Sequence, residues 1–211
     1  YSENYQPLGQ LSITYSTEPA KVSHYQRILD ISRAMARTAY QRNGKGFACD
    51  YFASAPDSVI VLRLQTESTQ GLQATLSFNS LLPHATTASG NEISAEGYAA
   101  YHSYPVYFDG VNNKHLYDPE RGTHFRTLIR IIAPQSEIKS FPSGELKVKG
   151  GNEALILIAN VTSFNGFDKD PMKEGRDYRN LVAERMERAA KKTFEELENA
   201  HVADYKSFFD R

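Results

Sequence analysis

Short segments with alternating apolar and polar side chains run through the first 161 residues, and this alternation most constrains the fold. A period of two places successive side chains on opposite faces of a β-strand, so Leu72, Ala74 and Leu76 share one face. Because turn residues and no helical pattern join these segments, the sequence predicts a mainly β fold of antiparallel sheets, packed as a sandwich or a barrel. The predicted strands cover residues 8–15, 24–31, 35–40, 45–54, 59–64, 72–79, 124–131, 145–149 and 154–161.

Two stretches interrupt this strand pattern. Residues 83–123 have Pro, His, Asn, Gly and Tyr scattered through them, with weak alternation at residues 104–108. We expect long loops there with one or two short strands, and long loops in a compact domain are often functional. Further along, Gly150 and Gly151 before Asn152 predict a hairpin turn in which glycine supplies positive φ.

After Pro171 the apolar period changes to about 3.6 residues, which predicts helices. Asp177 is a candidate N-cap, and we expect a break near Asn199 between two helices. The apolar stripes are Val182, Met186, Ala189, Ala190, Phe194 and Leu197, then Val202, Tyr205, Phe208 and Phe209. We predict an antiparallel β-sandwich domain over residues 1–172 and a helical linker over residues 173–211. The apolar residues near Arg211 indicate a domain junction.

Charge and cysteine content argue against several classes of function. The chain carries 24 Lys and Arg against 25 Asp and Glu, so no basic excess indicates a nucleic-acid partner. No apolar run has the length of a membrane span, and no membrane partner is predicted. Cys49 is the single cysteine, and its position in a strand predicts a buried, inert thiol. The nearest histidine pair, His115 and His124, matches no metal-ligand spacing, so neither a metal nor a cofactor is predicted.

Acidic residues in the loops are candidate catalytic groups, because glycoside cleavage uses two carboxylates. They are Asp109, Asp118, Glu120, Asp168 and Asp170. Asp118-Pro119 and Asp170-Pro171 are typical of turns, and we favour that interpretation. No catalytic residue is therefore predicted, and a self-contained enzyme that uses Asp109 and Asp118 is a weaker hypothesis.

Residues 162–171 form the densest polar and aromatic stretch, between a buried strand and the first helix. In a structural interpretation, which we favour, Phe164 and Phe167 pin the sheet to the helix. In a functional interpretation, Asn165, Phe167 and Asp168 face a neighbouring domain or its ligand.

The regular spacing of four tyrosines raises an alternative function, a carbohydrate-binding β-sandwich module. Tyr98 precedes the series Tyr101, Tyr104 and Tyr107, and Tyr101 and Tyr104 are the candidate glycan contacts. Tyrosines in a loop more often pack beneath it, and the two alternatives stay open at this point.

Five blocks of sequence, in order along nearly the whole chain, resemble the N-terminal β-sandwich domain of glycoside hydrolase family 95, the α-L-fucosidase family. The blocks are Tyr5-Gln-Pro-Leu-Gly9-Gln-Leu11, Tyr25-Gln-Arg-Ile-Leu29-Asp30, Tyr51-Phe-Ala-Ser54-Ala-Pro56-Asp57-Ser-Val-Ile-Val-Leu-Arg63-Leu64, Thr162-Ser-Phe164-Asn-Gly166-Phe and His201-x-x-Asp204-Tyr205-x-x-x-Phe209-x-Arg211.

The resemblance implies a multidomain enzyme: a β-supersandwich, a helical linker, an (α/α)6 barrel and a C-terminal β domain. Such enzymes hydrolyse α-1,2-linked fucose or a related sugar with inversion, using residues of the barrel. That barrel would begin after Arg211, so this chain would be a non-catalytic supporting domain. Its partners would be the catalytic barrel in cis and, through the complete enzyme, an oligosaccharide.

Three further expectations come with the resemblance. The first strands of the sandwich would be missing, since nothing in residues 1–10 matches the family's early segment. An unpaired edge or an uncovered apolar surface should then remain, which favours self-association of the fragment. A role in carbohydrate metabolism in the periplasm or outside a bacterial cell is also expected.

Overall fold

The computed structural model describes residues 6–15, 20–105 and 107–210, which build three packed layers. The strands are β1 (Gln10–Tyr15), β2 (Val22–Asp30), β3 (Met35–Arg42), β4 (Lys45–Ser54), β5 (Val59–Thr66), β6 (Leu72–Asn79), β7 (His84–Ser89), β8 (Glu92–Tyr98), β9 (His102–Ser103), β10 (His115–Leu116), β11 (His124–Ile132), β12 (Ser136–Ser140), β13 (Leu146–Gly150) and β14 (Glu153–Thr162). The helices are α1 (Tyr178–Ala189) and α2 (Phe194–Phe209). The predicted β-sandwich with two C-terminal helices is confirmed.

Two antiparallel sheets stack face to face. The smaller sheet has the strand order β1-β6-β13-β12, and the larger has the order β2-β3-β4-β5-β14-β11-β8-β7. A ribbon of β9 and β10 lies within the long loop that follows β8. In the smaller sheet Leu76 lies opposite both Ile13 and Leu146, and this register keeps apolar side chains on the inner face.

The larger sheet is buried on both faces at its centre. Along β14, Ala154 and Ile156 pack towards the smaller sheet, whereas Leu155 and Leu157 pack towards the helices. One core therefore lies between the two sheets and a second between the larger sheet and the helices. The prediction that residues 59–64 form a central strand is confirmed, because β5 lies fourth of eight.

Two capped helices form the third layer. The Asp177 side chain accepts a hydrogen bond from the Asn180 backbone, so the predicted N-cap of α1 is confirmed. The break predicted near Asn199 is wrong, because a capping box of Thr193 and Glu196 starts α2 earlier. Both helices pack on the outer face of the larger sheet. Neither described helix is long and apolar enough to cross a bilayer.

The interpretation of residues 83–123 as loops with one or two short strands is wrong at its start. β7 and β8 pair there as a full hairpin at the edge of the larger sheet. The buried face of β8 consists of Ile93, Ala95 and Gly97, so small residues hide its alternation. Residues 104–105 and 107–108 lie outside any strand. A further strand, β12, was also missed.

The turn at Gly150 and Gly151 connects two sheets and is not the predicted hairpin. β13 belongs to the smaller sheet and β14 to the larger. The predicted positive φ is confirmed, with φ of 90° at Gly150 and 59° at Gly151. The Gly151 carbonyl accepts a 2.8 Å hydrogen bond from the Leu72 backbone, so the crossover is held to β6.

Candidate functional site

Two long connections leave the larger sheet from the same end. Tyr98 at the end of β8 pairs with His124, and Thr162 at the end of β14 pairs with Phe125. β11 lies between β8 and β14, so the loop over residues 99–123 and the segment over residues 163–177 start on the two strands that flank β11. The Ser163 backbone donates to the His124 carbonyl at 2.8 Å, while Ser163 Oγ accepts from the His124 backbone at 3.0 Å. We call these two connections, residues 99–123 and 163–177, the loop end, and they form the candidate functional region.

A polar cluster beneath the loop end fixes the start of α1. Tyr178 Oη donates to Glu96 Oε1 at 2.9 Å, and Arg179 pairs with the same carboxylate. Burial alone would raise the pKa of Glu96, but the hydrogen bonds from Arg179 and Tyr178 outweigh it and lower the pKa. Burial, with the hydrogen bond to Glu96, raises the pKa of Tyr178 to about 12. The cluster is therefore a charged anchor with no proton to give at neutral pH.

The two tyrosines predicted as glycan contacts are engaged by their own loop. Arg121 lies over the ring of Tyr101 with its guanidinium carbon 3.8 Å from the ring centroid. Tyr104 stacks on Phe108 with centroids 5.3 Å apart. Tyr107, by contrast, is 82% exposed. The series therefore packs mostly within the loop, with one ring presented to solvent.

The segment over residues 163–177 presents the other predicted contact residues. Asn165 Nδ2 donates to the Glu174 carbonyl at 2.9 Å, which holds the segment in a closed loop. Phe167 is 98% exposed, and Asp168 is exposed beside it. The interpretation that Phe164 and Phe167 pin the sheet to the helix is wrong, because Phe164 is also exposed. The positions of Asn165, Phe167 and Asp168 suit contact with a neighbour, which stays a prediction.

Carboxylates of the loop end accept backbone hydrogen bonds within turns. Asp118 Oδ1 accepts from the Glu120 backbone at 2.8 Å, and Asp170 Oδ1 accepts from the Met172 backbone at 2.8 Å. Both turn predictions are confirmed. Among the described residues, every carboxyl group whose pKa departs clearly from its usual value is shifted downwards: Asp30, Glu96, Glu137, Asp170 and Glu187. A general acid needs the opposite shift.

Two ionic clusters that the sequence does not signal attach the helices to the larger sheet. Asp57 Oδ1 lies 2.5 Å from Lys192 Nζ in the connection between the helices. Asp50 is bound by Arg63, and Arg63 also reaches Glu195 of α2. The sequence separations exceed a hundred positions for both helix contacts, so no local pattern could have revealed them.

Histidine and cysteine side chains take part in packing. His115 Nδ1 lies 3.0 Å from Gln6 Nε2, and His124 Nε2 lies 2.7 Å from the Pro119 carbonyl. Burial raises the pKa of the Cys49 thiol to about 11, which suits the predicted inert thiol. Across residues 6–15, 20–105 and 107–210, no three His, Cys, Asp or Glu side chains converge as metal ligands.

An apolar surface lies at the edge of the larger sheet, away from the loops just described. It consists of Ile28, Ile31, Phe208 and Phe209, and we name it the β2–α2 surface. Ile28 is 49% exposed and Phe208 is 65% exposed. Tyr205 Oη donates to the Ile31 carbonyl at 2.7 Å, which ties the end of α2 to the turn after β2.

The three-layer fold has a counterpart among solved structures. The solved structure of "Putative kojibiose phosphorylase from human microbiome" superposes with a TM-score of 0.60 at 10% identity, over 97% of this chain and 28% of that one. This likeness concerns the fold alone.

Residues 1–166 match the model of the glycosyl hydrolase family 65 N-terminal domain, and the chain belongs to that domain family. It is 26% identical over 217 residues to alpha-L-fucosidase 2 of Arabidopsis thaliana. It is 27% identical over 225 residues to probable alpha-fucosidase A of Aspergillus niger. All of this chain is covered, but it spans only 26% and 25% of those relatives.

The resemblance to the N-terminal sandwich of a glycoside hydrolase is thus confirmed, with relatives named as fucosidases. The matching family model is that of family 65, so the assignment to family 95 is not confirmed.

Proposed function

We propose that this chain is the non-catalytic N-terminal supporting domain of a longer glycoside hydrolase that releases terminal α-L-fucose, or a related sugar, from glycans. One observation carries the proposal: a complete match to relatives named as fucosidases that occupies only a quarter of their length. The remaining three quarters of such a protein have room for a separate catalytic domain. The resemblance to glycoside hydrolase family 95 supports catalytic groups in that remaining part and would imply inversion at the anomeric carbon.

The chemistry of the loop end supports a non-catalytic role. Cleavage needs one carboxyl group that keeps its proton near neutral pH and a second that activates water or attacks the sugar. Asp118 and Asp170 instead accept backbone hydrogen bonds in turns, and the pKa of Asp170 is lowered by its bonds from Met172 and Lys173.

The β2–α2 surface supports packing against a neighbouring domain in cis. Exposed apolar side chains that lie together on a soluble domain are typical of an interaction surface. Ile28 and Ile31 come from the edge strand and its turn, while Phe208 and Phe209 come from the last turn of α2. We propose the catalytic barrel as the occupant of this surface, with self-association when the domain is isolated.

The test compares the 211-residue chain with the product of the complete reading frame. We expect free fucose from a 2'-fucosylated oligosaccharide with the complete protein and none with the chain alone. Release of fucose by the chain alone would overturn the proposal.

A surface variant in the complete protein tests the supporting role separately. Ile28→Ser with Ile31→Ser should raise the rate of proteolysis between this domain and the barrel, since an apolar contact is lost. Leu81→Ser is the matched control, because Leu81 is 85% exposed and lies elsewhere. Equal rates of proteolysis for the native protein, the double variant and the control would show that the β2–α2 surface does not contact the barrel.

The second candidate, a carbohydrate-binding module, is favoured by one observation. Tyr107 and Phe167 are highly exposed aromatic side chains on the two connections of the loop end. Exposed rings of this kind can stack on sugars. Calorimetric titration of the chain with fucosylated oligosaccharides tests this function. Heat that disappears in Tyr107→Ala would support a binding module, and no heat would exclude it for these ligands.

A further inference from the structure

The outer face of the smaller sheet is polar throughout its described strands. Ile138, Leu146 and Val148 point into the sandwich core, so the alternate residues of β12 and β13 point outwards. The outward side chains are Gln10, Ser12 and Thr14 on β1, Gln73, Thr75, Ser77 and Asn79 on β6, Glu137 and Lys139 on β12, and Lys147 and Lys149 on β13. Strands whose outward side chains are all polar are not suited to pack against the apolar surface of another protein.

The charges on this face are unbalanced. The register places Lys139 directly opposite Lys147, and like charges in that arrangement destabilise a sheet. Glu137 lies opposite Lys149 and forms a 2.9 Å salt bridge with Lys139. On these two strands the outward side chains therefore carry one carboxylate and three ammonium groups. The chain as a whole has a net charge of -1. The excess positive charge is therefore a local property of this face.

The shape of the face suits an extended ligand. The lysines and Glu137 line an open cleft of about 490 Å³ together with Thr14, Gln73 and Thr75, and Tyr15, Ala74 and Val148 also border it. Lys147 and Lys149 are two residues apart on one strand, which separates their backbone positions by roughly 6.6 Å. The backbone of Lys139 lies one strand spacing from that of Lys147, about 4.8 Å. Long lysine side chains that start from backbone positions at these intervals can meet successive anionic groups of one polymer, while hydroxyl and amide side chains hydrogen-bond its neutral groups.

We propose that the outer face of the smaller sheet binds an acidic polysaccharide through Lys139, Lys147 and Lys149. The anionic groups are the carboxylates of uronic acid residues. The choice of a glycan rests on the proposed function, in which the chain belongs to a glycan-cleaving enzyme. Nucleic acid is disfavoured, because single strands bind on aromatic platforms and the outward side chains of these strands include no aromatic ring. Phe141, which follows β12, is covered by Lys147, whose Nζ lies 4.8 Å from the ring centroid.

Binding of the 211-residue chain to polygalacturonate tests the site without any readout of hydrolysis. Exposed ion pairs are individually weak and screened by salt. We therefore expect binding at about 20 mM NaCl that is lost at about 300 mM. Lys147→Gln with Lys149→Gln should weaken binding by about fivefold or more. A neutral xyloglucan should not compete.

Lys173→Gln with Lys191→Gln is the matched control, since both lysines are exposed elsewhere and the change in net charge is the same. The control should bind as the native chain does. Equal weakening by the two double variants, no binding at low salt, or tighter binding of a single-stranded DNA oligonucleotide would each overturn the site. Fucose release by the complete protein is independent of all three outcomes, so failure here leaves the proposed function standing.

Discussion

Lys192 Nζ lies 2.5 Å from Asp57 Oδ1, and this ion pair joins the connection between the helices to the turn between β4 and β5. Asp57 is 1% exposed and also accepts a 3.0 Å hydrogen bond from Ser54 Oγ. A buried charge is tolerated when it is paired and hydrogen-bonded. The attachment of the helical layer and the pairing of Asp57 therefore depend on each other.

Removal of the Lys192 ammonium group should destabilise the fold strongly. In Lys192→Met the Asp57 side chain keeps its burial but loses its ionic partner, which costs about 3 kcal/mol in the free energy of unfolding. Urea denaturation followed by circular dichroism measures this loss. Glu195→Gln is the control, because Glu195 is an exposed partner of Arg63 and its loss should cost about 1 kcal/mol or less. Similar losses in both variants would contradict the assigned role of Asp57.

Loss of the α2 cap should have a smaller effect. Thr193 accepts from the Glu196 backbone, and Glu196 Oε2 accepts from the Thr193 backbone at 2.8 Å. Thr193→Ala should lower the free energy of unfolding by about 1 kcal/mol. Thr69→Ala, at an exposed position outside any helix, should change it by less than about 0.5 kcal/mol. An unchanged midpoint for Thr193→Ala would contradict the observed start of α2.

The Glu96 anchor should make stability depend on acidic pH. Its pKa is lower in the folded chain than the unfolded value of about 4.3, so its contribution is present above that pH and is lost as pH falls through the folded pKa. Glu96→Gln should therefore be less stable than the native chain at about pH 6, with the difference shrinking towards about pH 3. Melting temperatures across this range measure it. Glu184→Gln should follow the native curve, and a constant deficit for Glu96→Gln would refute the linkage.

Cys49 should react only after unfolding. Burial raises its pKa to about 11, so the thiolate that attacks a disulfide reagent is scarce at about pH 8. We expect slow labelling of the native chain and rapid labelling in urea. Native labelling at the rate of a free thiol would show that the β4 side chain is accessible.

Strong alternation made part of the fold predictable. β6 was assigned because Leu72, Ala74 and Leu76 are large or clearly apolar, and all three are buried. β8 was missed because its buried positions include Ala95 and Gly97, whose small side chains carry little hydropathic signal. The helix break was misplaced because the apolar stripe continues through Phe194, whereas α1 ends at Ala189 and the capping residues Thr193 and Glu196 start α2.

The candidate site was less predictable than the fold. The spacing of the tyrosines indicated the loop as a candidate region but could not show which rings are covered. Arg121 lies over Tyr101 only because the loop folds back on itself. The cationic face was not predicted either. Lys139 and Lys147 alternate with apolar residues in sequence, but only the register shows that they lie opposite one another.

The turnover of the complete protein with its loop carboxylates removed tests the central claim most directly. Asp109→Asn, Asp118→Asn, Glu120→Gln, Asp168→Asn and Asp170→Asn are combined in one variant, and its melting temperature checks that it folds. If the chemistry resides outside this chain, kcat for fucose release should stay within about twofold of the native value, since a lost general acid or base would cost about 10²–10⁴-fold. A fall of that size in a folded variant would contradict the account.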